Sequence, residues 1–356
     1  MFSLFQDKLE GKGTPLEVTT GQLPRPRLAF VVYFRAIAIV LIVAGHSYGL
    51  AGIQFSHALD DAISSFLKGA TALFVFISGF LFDYVYSGKY RYRQFLEEKA
   101  RRLLIPYLVL TSIAQLVFWK LYADQSIYDK IFRDLILGDT FQAYWYVPFI
   151  LVMFTIAPLH RGFMRLRSVN QIWIILALMI IAGFVQRPIN NDNVFQSIIF
   201  YMPIYLSGLF VSVNREALVH IKNNRFFLLL ITVGLVSIQG FIGQNDNMQS
   251  SMLTFQRFEL MGFQKLSLSL LLVALFSHAK LPPSRTVNLI AETSFAIFFL
   301  HPFLLEIFSN TKIFLRTDIQ WLDLALATIT IVGSCILITL ALKLILKSSS
   351  KYIIGY

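Results

Sequence analysis

Apolar stretches close to 20 residues long recur along the whole chain, separated by short polar connections. A helix needs about 20 mostly apolar residues to cross a bilayer. Ten stretches meet that test: Leu28–Leu50, Ala62–Phe82, Leu103–Lys120, Gln142–Leu159, Gln171–Gln186, Val194–Val213, Phe226–Gly243, Leu260–Ser277, Val287–Phe308 and Ile319–Leu346. Lys68 and Lys265 interrupt the second and the eighth. The expected fold is an all-α integral membrane protein, a bundle of about ten transmembrane helices. Residues 1–27 are polar and carry no apolar core of a signal peptide, so the first span should remain in the mature protein. They are expected to form a cytoplasmic segment ahead of one membrane domain, 28–346, with a cytoplasmic tail at 347–356.

Composition agrees with this pattern and narrows it. Of 356 residues, 56% are apolar and only 14% charged, against roughly 25% charged in soluble domains. That excludes an ordinary water-soluble enzyme, and also a disordered chain, which needs low hydrophobicity and high charge. The single cysteine, Cys335, cannot form an internal disulfide, and no cysteine cluster exists to bind zinc, so no metal is expected. The net charge of +11 would suit nucleic acid, but the placement of the charges argues otherwise. Twenty-one of the 31 Lys and Arg fall at the two termini and in every second connection, and seven fall on the opposite side. Cytoplasmic loops attract Lys and Arg, so both termini should lie inside, with the Tyr128–Asp139 and Asn190–Val194 connections outside. Membrane lipid, not nucleic acid, is the expected surroundings.

Charged groups in hydrocarbon cost about 2.5–3.5 kcal/mol each on insertion scales. The sequence nevertheless accepts that cost at Arg35, Glu292, Glu306 and Asp323 within spans, and at Asp83 at the edge of one. Arg35 lies about 10 Å in from the inner boundary at 1.5 Å per residue. Of the six histidines only His46 and His301 fall within spans, both in the outer half. Arg35 and His46 stand eleven residues apart, which is within about 20° of three full turns and about 16 Å along the axis. One helix face thus carries a permanent cation near the inside and a titratable base near the outside. Acyl-CoA fits that geometry, with phosphates held at the cytoplasmic end and a thin uncharged arm reaching toward His46. A voltage- or proton-coupled transporter would need the same two groups, and the spacing alone leaves it open.

The motifs resemble the acyltransferase-3 family of bacterial membrane O-acyltransferases. The hallmark Arg, ten residues, then His is matched by Arg35 and His46 in FRAIAIVLIVAGHSYGL. The Gly-rich segment ending in Ser-Gly-Phe is matched by GATALFVFISGFLF, with Ser78 and Gly79. The basic inner loop is matched by FLEEKARRLLIPY, the Trp-aromatic start of the fourth span by Trp145 and Tyr146 in YWYVPFILVMF, and the late Ser…His motif by SFAIFFLHP, ending at His301. The matches keep the family's order across residues 28 to 346. One departs from the pattern: the family's inner-loop Arg-x-x-Arg is here Lys99 and Arg102, with an extra Arg101. Lys keeps the charge but lacks the planar fork.

The resemblance implies transfer of an acyl group, acetyl first among the candidates, from cytoplasmic acyl-CoA to a hydroxyl on an outer-face glycan or lipid-linked sugar. It places the protein in the bacterial inner membrane. His46 would be the general base and Arg35 would line the donor channel. Arg91, Arg93, Lys99, Arg101 and Arg102 would hold the CoA phosphates. Ser78, Gly79, Trp145, Tyr146 and His301 would support or bind the acceptor. A multi-span exporter of a polysaccharide or lipid-linked sugar is the alternative, and homo-oligomerisation is left open.

Overall fold

The computed structural model describes residues 28–355 apart from 87, 89, 119–126, 253, 255–256, 278–281 and 318. The expected N-terminal segment, 1–27, lies outside the described residues. The fold is all-α. Among the described residues, its α-helices of eight residues or more are α1 (Ala29–His46), α2 (Ala58–Leu67), α3 (Thr71–Tyr86), α4 (Tyr92–Lys99), α5 (Ile105–Phe118), α6 (Ile127–Ile136), α7 (Tyr146–Thr155), α8 (Ala157–Met164), α9 (Ser168–Val185), α10 (Val194–Val213), α11 (Arg215–Asn223), α12 (Arg225–Phe241), α13 (Met261–Phe276), α14 (Arg285–Thr311) and α15 (Gln320–Leu346). A two-strand parallel bridge joins β1 (Arg187–Pro188) to β2 (Gln249–Ser250).

Among the described residues, seven helical segments are long and apolar enough to cross a membrane, or nine when each of two bent pairs counts as one span. The protein is therefore a multi-pass membrane protein. The eighth expected span corresponds to α13, an apolar helix of 16 residues. The bends have local causes. α7 and α8 meet at 61°, where Pro158 in the first turn of α8 cannot donate a hydrogen bond back into α7. α11 and α12 meet at 72° across Asn224.

Two boundaries differ from the sequence reading. The second span is not continuous: α2 ends at Leu67 and α3 begins at Thr71, with Gly69 at φ 70° between them. The expected basic loop before the third span is instead helical, running from α4 through a π-helical turn, Ala100–Leu104, into α5. Ion pairs one turn apart, Arg93–Glu97 (3.0 Å) and Glu98–Arg102 (3.5 Å), support this stretch.

α1 sits at the centre, packed against α3, α13, α14 and α15. Nearly its whole circumference is apolar and buried, as expected of a core helix rather than an amphipathic one. α3 crosses α10 at very short range. A Cβ added at Gly79 would stand 2.0 Å from the Tyr205 carbonyl oxygen, and one at Gly208 would stand 1.9 Å from that of Phe76. Only glycine permits backbones to approach so closely. The tail folds back on the bundle, with Ile354 buried and Gly355 against the Phe295 ring.

Candidate active site

α1 and α14 run side by side, and α14 meets both polar residues of α1. Arg35 donates from Nη2 to Ser294 Oγ (2.9 Å). Seven residues further along α14, the His301 ring centre lies 5.4 Å from that of His46. Seven residues make close to two turns, so Ser294 and His301 share a face of α14 just as Arg35 and His46 share one of α1. Phe30 packs on Phe80 and Phe34 on Phe76, so α3 runs antiparallel to α1. The Tyr86 end of α3, and with it α4, therefore lies at the end of the bundle opposite His46.

His46 closes α1 and lines a cavity of about 190 Å³ with Lys68, Gln142, Trp145, Arg187, Asp246 and Gln249. Its Nδ1 lies 3.2 Å from Gln142 Oε1. A carbonyl oxygen can only accept, so Nδ1 carries the proton and Nε2 keeps its lone pair. His301 shows the same pattern more deeply. Its Nδ1 donates to the Ile297 carbonyl (2.9 Å), and its buried Nε2 has no hydrogen-bond partner among the described residues. The break between α2 and α3 opens on this cavity, lining it with residues 67–71. The first turn of α3, the positive end of that helix, therefore faces the site. Lys265 reaches from α13 to donate to the Ser65 (2.9 Å) and Phe66 (2.7 Å) carbonyls, closing the C-terminal end of α2.

The supporting residues take distinct places. Ser78 Oγ and Tyr146 Oη share a hydrogen bond of 3.1 Å, both buried. Gly79 sits in the α3–α10 crossing. Trp145 is buried rather than at an interface. Tyr201 stacks on it at 5.1 Å and the Arg187 guanidinium lies 4.9 Å from its ring centre. Trp145 nonetheless lines the cavity beside His46.

At the opposite end, Arg91, Arg93 and Arg101 are exposed, while Arg102 faces Glu98. Lys99 departs from this group. It is 1% exposed, donates to Tyr86 Oη (3.0 Å), and stands over the rings of Tyr86, Phe95 and Phe154. The helix widens between Lys99 and Arg102 into the π turn Ala100–Leu104.

The residues around His46 that sequence reasoning missed come from connections. They are Gln142, Arg187, Asp246 and Gln249, with Lys68 from the break. Arg187 had a signal, a solitary cation immediately after an apolar span on the cation-poor side. Gln196 ties the rim beneath it, donating to the carbonyls of Val185 (3.1 Å) and Ser250 (3.0 Å). Asn247 donates to Glu259 Oε1 (3.2 Å) and accepts from Arg187 Nη1 (3.0 Å). Glu259, just ahead of α13, is buried, and burial pushes its carboxyl up to about 8 despite the Met248 N–H and Arg187, which pull it down.

Known proteins resemble this chain in sequence. The family model described as an acyltransferase domain matches residues 28–343. The chain belongs to the acyltransferase-3 family. Among curated members, the probable poly-beta-1,6-N-acetyl-D-glucosamine export protein of Staphylococcus aureus strain MRSA252 is 22% identical over 337 residues, spanning 88% of this chain and 92% of that protein. The proteins of the same name from strains MSSA476 and MW2 match equally. No solved structure matches this acyltransferase-family chain.

Proposed function

We propose that this protein is a membrane O-acyltransferase. It moves an acyl group, acetyl first among candidates, from cytoplasmic acyl-CoA to a hydroxyl of a glycan or lipid-linked sugar on the outer face of a bacterial inner membrane. The ten apolar segments then act as ten spans with both termini inside. His46 Nε2 accepts the proton of the sugar hydroxyl as the oxygen attacks the thioester carbonyl. The carbon–sulfur bond breaks, CoA departs as the thiolate toward the cytoplasm, and His46 returns the proton. Removing the hydroxyl proton in the transition state is the work of a positioned general base. Arg35 lines the donor path, and the exposed Arg91, Arg93 and Arg101 meet the phosphates.

The observation that carries this reading is the His46 imidazole, fixed in one tautomer by Gln142 at the wall of a cavity opposite a cationic surface. The test is thiol release from acetyl-CoA by purified protein, paired with mass spectrometry of surface glycans from cells with and without it. A missing O-acyl group with matching thiol release is expected. The names of the staphylococcal relatives favour a second reading, export of a polysaccharide. An exporter would release no thiol, and its loss would lower the amount of surface glycan rather than its acylation.

A further inference from the structure

Arg187 is a charged side chain on the cavity wall to which the proposed chemistry gives no part. Arg187 is half-buried, and the side chains in direct contact with its guanidinium are neutral. It lies over the Trp145 ring, donates from Nη2 to Asn191 Oδ1, and donates from Nη1 to the Asn247 amide oxygen. Its buried Nε has no partner. No carboxylate among the described residues pairs with it. Asp246, the acid on the same wall, lies 3.4 Å from Lys68. Glu259 is reached only through Asn247, and Arg187 acts on its carboxyl without direct contact.

The backbone under Arg187 is equally well fixed. Its N–H donates to the Met248 carbonyl (3.1 Å), β1 pairs with β2, and Gln186 is anchored to the Arg257 carbonyl. A positive charge partly withdrawn from bulk water, as on the half-buried Arg187, costs free energy unless an anion accompanies it. Tying two loops together would need only the two amide contacts, which a neutral donor could make. The charge, fixed in place at the cavity wall with no carboxylate in direct contact among the described residues, is open to one from the ligand. Guanidinium is the group best suited to a carboxylate or phosphate, through parallel N–H donors.

We infer that the cavity beside His46 is an acceptor site selective for an anionic sugar, with Arg187 binding the acceptor's carboxylate or phosphate while His46 faces its hydroxyl. This rests on the acyltransferase reading for the word acceptor, but the binding itself does not require a donor. Two sources share the chemistry: a uronic acid within a polysaccharide, or the phosphate of a lipid-linked sugar. Arg187 acts away from the reacting carbonyl, so its contact is made equally in ground and transition state. Such contacts alter KM and leave kcat alone.

The experiment measures equilibrium binding to the purified full chain without acyl-CoA, using methyl glucuronide, glucose 1-phosphate and neutral methyl glucoside. One charge-assisted contact predicts at least about tenfold tighter binding of an anionic sugar than of methyl glucoside. Preference for methyl glucuronide assigns the carboxylate source, and preference for glucose 1-phosphate the phosphate. Arg187→Gln should remove the discrimination, and Arg187→Lys should restore part of it. Equal binding of all three sugars by the wild-type protein overturns the inference whether or not the variants fold. So does discrimination that survives in folded Arg187→Gln. In turnover assays, Arg187→Gln should raise the acceptor KM alone. A lower kcat at unchanged acceptor KM would instead make Arg187 a stabiliser of the tetrahedral oxyanion. Thiol release bears on the acyltransferase reading separately, so the two can fail independently.

Discussion

The rings of His46 and His301 stand 5.4 Å apart on parallel neighbouring helices, one imidazole lining the cavity and the other wholly buried behind it. Each has its Nδ1 committed to a carbonyl oxygen, from Gln142 and from Ile297. They are therefore not equivalent candidates for a base. Only His46 has access to a substrate.

His46→Ala should leave the bundle folded and lower acyl transfer by the ~10²–10⁴-fold typical of losing a positioned base. His46→Gln, which can hydrogen-bond but cannot take up the proton, should not restore it. Gln142→Ala removes one hydrogen bond worth about 1 kcal/mol and should slow transfer by roughly five- to tenfold, mostly in kcat. Thiol release from acetyl-CoA by purified variants checks all three. Near-normal turnover in His46→Ala would take this residue out of the mechanism.

The Arg35–His46 face was legible because a helix repeats so regularly that spacing alone fixes which residues align. The late Ser294…His301 motif was legible through its likeness to the family pattern. The cavity's other walls were not. Gln142, Asp246 and Gln249 lie in connections, where no period tells which residues turn inward. The α2–α3 break was foreshadowed by Lys68, yet the apolar run through it reads as one span because hydropathy does not register a glycine at positive φ. Lys99 misleads in the opposite sense. In a sequence it is one more cation in a basic run, and only packing shows that Tyr86, Phe95 and Phe154 enclose it.

That enclosure separates the basic residues into two kinds. Arg91→Glu with Arg101→Glu should raise the apparent KM for acyl-CoA several-fold with little change in kcat, and high salt should mimic the effect by screening. Lys99→Ala should instead lower the melting temperature in detergent, because it empties a space filled by a long side chain and leaves Tyr86 without its donor. A donor KM unchanged in the folded double variant would make the run a membrane anchor only.

The α3–α10 crossing makes a second stability test. Gly79→Ala and Gly208→Ala each place a methyl group about 2 Å from a carbonyl oxygen of the facing helix. Backbone cannot yield as a side chain can, so each should cost at least the ~1–3 kcal/mol of overpacking. Gly162→Ala, where an added Cβ meets nothing within 4 Å, should cost far less. Melting curves of the three purified variants give the comparison.

Orientation can be read with cysteines, since Cys335 is buried and contributes little background. Asp192→Cys and Gly162→Cys both lie at exposed positions. With both termini inside, an impermeant thiol reagent should label position 192 in intact cells whose outer membrane, where present, has been made permeable. Position 162 should react only after lysis. The reverse pattern would invert the bundle and place His46 on the cytoplasmic side.

Glu259 gives the fold its own pH dependence. Its carboxyl is raised to about 8 by burial in the folded protein, whereas in an unfolded chain it would titrate near 4.3. At pH below the unfolded value the acid is neutral in both states and costs nothing. Between that value and about 8 the unfolded chain loses its proton while the folded protein keeps it, so stability falls as pH rises. Above about 8 both states are ionised and the dependence levels off. The melting temperature of the wild-type protein should therefore decline from pH 5 to pH 8. Glu259→Gln keeps an acceptor for the Met248 N–H and for Asn247 without a charge to bury, so its decline should be shallower and its stability at pH 8 equal to or above wild type. Parallel slopes for the two proteins would show that Glu259 is ionised in the fold at neutral pH, with a counter-charge close enough to hold it so.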